Sequence, residues 1–151
     1  MRESLFNWLQ PYIEGAKCLD LFAGSGALGI EAVSRGAASS TCVEQDRKTA
    51  EMLRESVKML DTGEVVVYEM DALQWLKSVT DSFNIIFLDP PFGQNLIEKS
   101  LALLPDSGCV SRQSLIYVET EAVWQPEKNV EVIKQAKAGQ VNYMLIKIVA
   151  D

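Results

Sequence analysis

Asp89-Pro90-Pro91-Phe92 is the stretch of this sequence best suited to chemistry, and it follows directly on the run Asn84 to Leu88. Two prolines fix the backbone and remove two N–H donors. The Asp89 carboxylate and the Pro90 carbonyl are then left as acceptors facing the same space. Such a pair suits an aromatic amine, whose lone pair is delocalised into its ring. Acceptors on both N–H bonds favour a pyramidal nitrogen and free that lone pair for in-line attack. Phe92 is expected to stack on the ring, which in a nucleic acid must be swung out of its helix. The competing reading is a rigid Pro-Pro turn with Phe92 in the core.

Gly24-Ser25-Gly26-Ala27-Leu28-Gly29 fits G-x-G-x-x-G between a strand and a helix. Its glycines permit a tight turn and a close approach of ligand to backbone, but the pattern serves dinucleotides as well. Glu44, at the next strand end, is placed to accept both hydroxyl protons of a ribose, which again suits NAD and S-adenosylmethionine alike. Asp20 separates them. A carboxylate just before the glycine turn repels a pyrophosphate and attracts a methionyl ammonium or a sulfonium. Asp71-Ala72 is expected to hold an adenine edge through the carboxylate and a backbone N–H; Asp71 also reads as a helix N-cap, and the two roles are compatible. A sulfonium is already a strong electrophile, so catalysis reduces to positioning and electrostatics.

The elements that must carry these residues alternate. Leu5, Phe6, Leu9 and Ile13 recur at helical spacing and predict an opening helix broken or ended near Pro11. Strands are expected over Lys17 to Leu21, Ser40 to Glu44, Val65 to Tyr68, Asn84 to Leu88 and Leu115 to Glu119. Helices fall between them: one from Leu28 to a cap at Gly36, one behind an Asp46 N-cap with Ala50, Leu53, Val57 and Leu60 inward, a short one with Leu73 and Leu76, and one over Ile97, Leu101 and Leu104. Thr62-Gly63 reads as a turn. Val130 to Lys137 and Val141 to Val149 flank Ala138-Gly139 as an antiparallel hairpin, in which Lys134 and Lys137 read as edge-strand charges. The expected fold is a single α/β domain over residues 1–151 with a mostly parallel sheet. In such a sheet the ligand lies beyond the carboxyl ends of the strands, where strand order reverses. Asp20, Glu44, Asp71 and Asp89 all fall at or just past those ends.

Composition narrows the chemistry further. The 151 residues contain no histidine, so no Ser-His-Asp unit or histidine-held metal is available. The three cysteines, Cys18, Cys42 and Cys109, are widely spaced with no C-x-x-C, which argues against zinc or a redox pair. Cys18 and Cys42, inside apolar runs, read as buried small hydrophobes in a reducing cytoplasm. No apolar run is long enough to span a bilayer, and no metal is expected. The net charge of −7 is unusual for a protein that grips a polyanion.

With these residues in place, the chain resembles the class I methyltransferases that act on amino groups and, more narrowly, the RsmD family of 16S rRNA guanine-N2 methyltransferases. The resemblance rests on Arg2-Glu3-Ser4-Leu5-Phe6-Asn7, Leu19-Asp20-Leu21-Phe22-Ala23-Gly24-Ser25-Gly26, Leu28-Gly29-Ile30-Glu31-Ala32, Ser34-Arg35-Gly36-Ala37, Glu44, Asp46, Asp89-Pro90-Pro91-Phe92 and Ile116-Tyr117-Val118-Glu119. It implies a Rossmann-like class I methyltransferase fold with a seven-stranded, mostly parallel sheet, an antiparallel C-terminal hairpin and helices on both faces. It implies an S-adenosylmethionine site at Asp20, Phe22, Ala23, Gly24, Ser25, Gly26, Glu44, Asp71 and Ala72, with Asp89, Pro90, Pro91 and Phe92 as the catalytic stretch. The implied partner is ribosomal RNA in the assembling small subunit. Family members also carry a preceding segment with basic residues; the expectation is that it supplies RNA contacts, and that cofactor binding survives without it.

The alternatives are an adenine-N6 methyltransferase of RNA or DNA, a NAD-binding Rossmann oxidoreductase and a non-catalytic RNA-binding module. An oxidoreductase has no role for Asp-Pro-Pro-Phe. Glu119 is expected either to line the crevice from the fifth strand or to sit at a solvated edge. Trp8 and Trp75 read as core, while Trp124 stays open.

Overall fold

The computed structural model describes residues 2–24, 28–60, 64–91, 93–121, 125–126 and 128–149. Ser25, Gly26, Phe92, Trp124 and the Thr62-Gly63 turn, all singled out in the sequence, lie outside the described residues. Among those described, five helices alternate with five strands: α1 (Arg2–Ile13), β1 (Lys17–Asp20), α2 (Leu28–Ser34), β2 (Ser39–Glu44), α3 (Arg47–Lys58), β3 (Val65–Glu69), α4 (Ala72–Ser78), β4 (Ile85–Leu88), α5 (Leu96–Ser107) and β5 (Leu115–Glu121). A hairpin, β6 (Val130–Ala138) and β7 (Val141–Ile148), ends the chain.

The strands form one seven-stranded sheet in the order β3-β2-β1-β4-β5-β7-β6. β1 to β5 pair in parallel, and β7 inserts antiparallel between β5 and β6. This is the seven-stranded, mostly parallel sheet with an antiparallel C-terminal hairpin that the resemblance implied. All four residues of β4 are buried, as an Ile-Ile-Phe-Leu run between two helix layers requires. One face of the sheet carries α1, α2 and α3 over a core that includes Leu5, Leu9, Ala32, Leu53, Phe87 and Tyr117. The other carries α4 and α5 over Leu19, Trp75, Leu76, Ile86, Leu104 and Val118. Full burial of a leucine such as Leu5, Leu9 or Leu104 stabilises the fold by about 1.5–3 kcal/mol.

Helix ends follow local chemistry. Asp46 caps α3, accepting the Thr49 N–H at 2.9 Å. Gly36, at φ +115°, closes α2 by donating its N–H to the Val33 carbonyl at 3.1 Å. α1 runs through Pro11 and stops two residues later at Ile13. A proline in the last turn forfeits a single hydrogen bond with little helix left to disrupt. No described helix is long and apolar enough to cross a membrane.

The order of the strands creates the crevice. From β1 the chain steps outward to β2 and β3, then returns to place β4 on the other side of β1. Loops leaving β1 and β4 therefore part company at their carboxyl ends, the switch point where ligands bind in sheets of this kind. β5 is longer than β4: its last partner there is Val118 opposite Leu88, while Glu119, Thr120 and Glu121 continue to pair with β7.

Candidate active site

The turn after β1 is tied to both neighbouring strands. Leu21 donates its N–H to the Phe87 carbonyl at 3.2 Å and Ala23 donates to the Val43 carbonyl at 3.0 Å. Gly24 has φ +62°, a conformation that costs a residue with a side chain about 1–2 kcal/mol. Gly29 is needed for a different reason. A Cβ there would stand 3.0 Å from Cys42 Sγ and 3.3 Å from the Cβ atoms of Asp20 and Ser40. The start of α2 thus lies almost on β1 and β2, held by Ser40 Oγ donating to the Gly29 carbonyl at 2.7 Å.

Asp20 is 1% exposed, and its Oδ2 accepts the Gly29 N–H at 2.9 Å. The carboxylate is placed beneath the glycine turn as its anchor. Glu44, half-buried at the end of β2, accepts the Gly24 N–H through Oε1 and the Asp46 N–H through Oε2, each at 2.9 Å. Two backbone donors fix the direction of this carboxylate, and each oxygen keeps a lone pair for a further donor. Asp71 caps α4 by accepting the Gln74 N–H at 3.0 Å, and Met70 donates its N–H to the Glu44 carbonyl at 3.0 Å.

These residues converge on a cleft of about 340 Å³, within the range of small-molecule sites, about 300–1,000 Å³. Phe22, Gly24, Glu44, Asp71, Ala72, Asp89, Pro90 and Pro91 all line it. Asp20 and Ala23 do not; both are buried. Gln45, Met70, Gln94 and Leu96 line it too and were not expected. The first two flank Glu44 and Asp71 in sequence, so strand-end position was a usable signal for them. Gln94 lies in a loop whose path is set by Gly93 at φ +85° and Asn95 at φ +54°, and Leu96 opens α5 directly after it; no sequence pattern announced either. A wider depression of about 570 Å³ is lined solely by α3 residues, Lys48 to Lys58. It gathers no second element and no strand end.

Across Asp89 from this cleft the site has a different character. Tyr117 is buried, and its hydroxyl donates to Glu119 Oε1. Burial pushes that hydroxyl well above the usual phenol range, and Glu119, Asp89 and Tyr143 add to the effect. The phenol therefore stays a neutral donor. Tyr143 on β7 sits opposite Glu119 and stacks on Trp8 of α1 at 5.5 Å. Trp75 is core, as its place on a helix suggested, and Trp8 is partly buried against the core.

The family model described as conserved hypothetical protein 95 matches residues 1–147 of the chain. The ribosomal RNA small subunit methyltransferase D of Escherichia coli is 43% identical over 148 residues, which span 96% of this chain and 75% of that protein. The methyltransferase D of Haemophilus influenzae is 40% identical over 96% of this chain and 78% of its own length. Among solved structures, the Escherichia coli protein yhhF, named as a candidate methyltransferase, superposes with a TM-score of 0.92 at 43% identity, covering 99% of this chain and 85% of that one.

Proposed function

The chain belongs to the conserved hypothetical protein 95 family, that of RsmD, and from that premise we propose that it is an S-adenosylmethionine-dependent rRNA methyltransferase. The reading extends to the reaction: a methyl group is transferred to the exocyclic N2 amine of a guanine in 16S rRNA, within the assembling small subunit and in the cytoplasm. One observation carries it. Asp89-Pro90-Pro91 forms a wall of the cleft that Gly24, Glu44, Asp71 and Ala72 line from the other strand ends.

S-adenosylmethionine, when bound, supplies an activated methyl group. The residues of the chain do the rest. Glu44 accepts from the ribose hydroxyls, its orientation set by the Gly24 and Asp46 N–H groups. Asp71 and the Ala72 N–H hold the adenine edge. Asp20 keeps the glycine turn in register with α2, so that Phe22 and Gly24 close on the methionyl part. At the far wall the Asp89 carboxylate and the Pro90 carbonyl accept the two protons of the guanine amine and direct its lone pair into the cleft. Transfer would form the C–N bond as the methyl–sulfur bond breaks, and the Asp89 carboxylate would stabilise the cationic amine until one of its protons passes to solvent. No metal enters this scheme. Phe92 is proposed to stack on the extruded base.

Mass mapping of nucleosides from small-subunit particles incubated with the protein and labelled S-adenosylmethionine tests the reading. N2-methylguanosine at one position is the expected product, and N6-methyladenosine would shift the assignment to the adenine-directed alternative. Asp89→Ala should cut transfer at least about a hundredfold, the scale of losing one preorganised polar contact to the transition state. Calorimetric affinity for S-adenosylhomocysteine should stay within a few-fold. Unchanged turnover would remove Asp89 from catalysis.

A further inference from the structure

Asp89 separates two environments. On one side lies the cleft, whose apolar lining of Leu21, Val43 and Ala72 belongs to the core under α4 and α5. On the other lie Phe87, Tyr117 and Tyr143, which belong to the core under α1. Side chains alternate along a strand, so Glu119 shares the face of Tyr117, two residues before it. β5 outlasts β4: the pairing Leu88–Val118 is the last between them, which sets Glu119 beside Asp89 as the next step of the same register. Glu119 is half-buried, is not on the wall of the cofactor cleft and takes a hydrogen bond from the buried Tyr117 hydroxyl. That bond engages one oxygen of Glu119, and the carboxylate keeps further lone pairs for another donor.

We infer that Glu119 is the residue that selects guanine, accepting the N1–H of the base while Asp89 and Pro90 hold its N2 amine. The inference rests on the guanine-N2 reading above. Guanine presents N1–H and N2–H as adjacent donors on one edge, and two carboxylate-bearing strand ends side by side match them. Adenine with its amine at Asp89 would turn the N1 lone pair toward Glu119, acceptor against acceptor. A site built to hydrogen-bond a substrate N–H rejects the analogue that lacks it far more strongly than a shape-selective pocket can.

The test uses small subunits reconstituted with guanine or 2-aminopurine at the target position. 2-Aminopurine keeps the exocyclic amine at C2, but its N1 is an unprotonated acceptor. The wild-type protein should favour guanine by about a hundredfold or more in kcat/KM. Glu119→Gln retains an oxygen for the Tyr117 hydroxyl and offers an N–H to the bare N1, so the ratio should shrink at least about tenfold. A structural role would lower both rates together and leave the ratio alone, which would overturn the inference, as would a wild-type enzyme indifferent to the two bases. Should Glu119→Gln melt early, Glu119→Asp withdraws the charge by one methylene; the ratio should again fall while S-adenosylhomocysteine affinity holds. Methylation by the wild type at an atom other than N2 would instead bring down the guanine-N2 reading, and this inference with it.

Discussion

Glu44 and Asp89 are both strand-end carboxylates, and the proposed function gives them different work. Both oxygens of Glu44 are engaged by backbone N–H groups, from Gly24 and Asp46, so the side chain is a rigid acceptor with no freedom to follow a reaction. Glu44→Gln replaces one oxygen with an NH2 that must face a backbone N–H, donor against donor, and it removes the charge that would strengthen the proposed bond to a ribose hydroxyl. Hydrogen bonds to charged groups contribute about 1.5–3 kcal/mol each. The affinity for S-adenosylhomocysteine should therefore fall about tenfold to a hundredfold, measured by calorimetry, with a much smaller change in turnover at saturating cofactor. An unaltered affinity would take Glu44 out of the ribose site. Asp89→Ala should give the reverse pattern, and this split between binding and turnover is what distinguishes the two residues.

At the level of elements, Gly29, where the start of α2 meets β1 and β2, has the least room for a side chain of the described glycines. A Cβ at Gly29 would meet Cys42 Sγ at 3.0 Å, with two further Cβ atoms at 3.3 Å. Those neighbours sit on paired strands of the sheet and have little room to yield. Gly29→Ala should cost about 1–3 kcal/mol, the usual penalty for overpacking. Urea unfolding would measure it, and Cys42→Ala in the same chain should return part of the loss; full additivity would mean that the helix simply moves away. The glycine pattern was visible in the sequence, but the contact that makes Gly29 necessary was not, because it joins residues from three elements. The same limit applies elsewhere. The apolar runs of β1 and β4 and the acidic residues at the strand ends were legible since each is written in consecutive residues. The direction of the Asp20 carboxylate, under the turn, depends on where α2 begins. Lys134 and Lys137 marked an edge strand, and β6 is one, with both lysines exposed. Only pairing across the sheet shows that β7, with Asn142 to Ile146 buried, is the strand that docks on β5.

For the molecule as a whole, the sheet that builds the site also encloses groups that resist ionisation. Burial pushes the Cys18 thiol from 9.0 up to about 12 with help from Asp20, and Cys42 is raised further by the same two influences and by Cys18. Burial raises the Tyr117 hydroxyl and Cys109 as well. A thiol at about 12 is neutral at any physiological pH and is no nucleophile, which leaves Cys18 and Cys42 as packing. The linkage has a definite sign. Groups whose pKa is raised by folding support the native state fully below the unfolded value and lose that support as pH climbs toward the folded one, because the unfolded chain releases its protons first. The window for Cys18 runs from about 9 to about 12. Asp46 acts oppositely: its bonds from Thr49 lower its pKa, so its support is present at neutral pH and is lost in acid. Urea midpoints should accordingly hold level from pH 7 to near 9 and then fall steadily toward 10.5. Replacing Cys18 and Cys42 with alanine should lower the plateau through lost packing yet make the alkaline limb shallower. A wild-type midpoint that stays flat through that range would mean β1 and β2 open to water around these thiols more readily than the complete burial of both side chains allows.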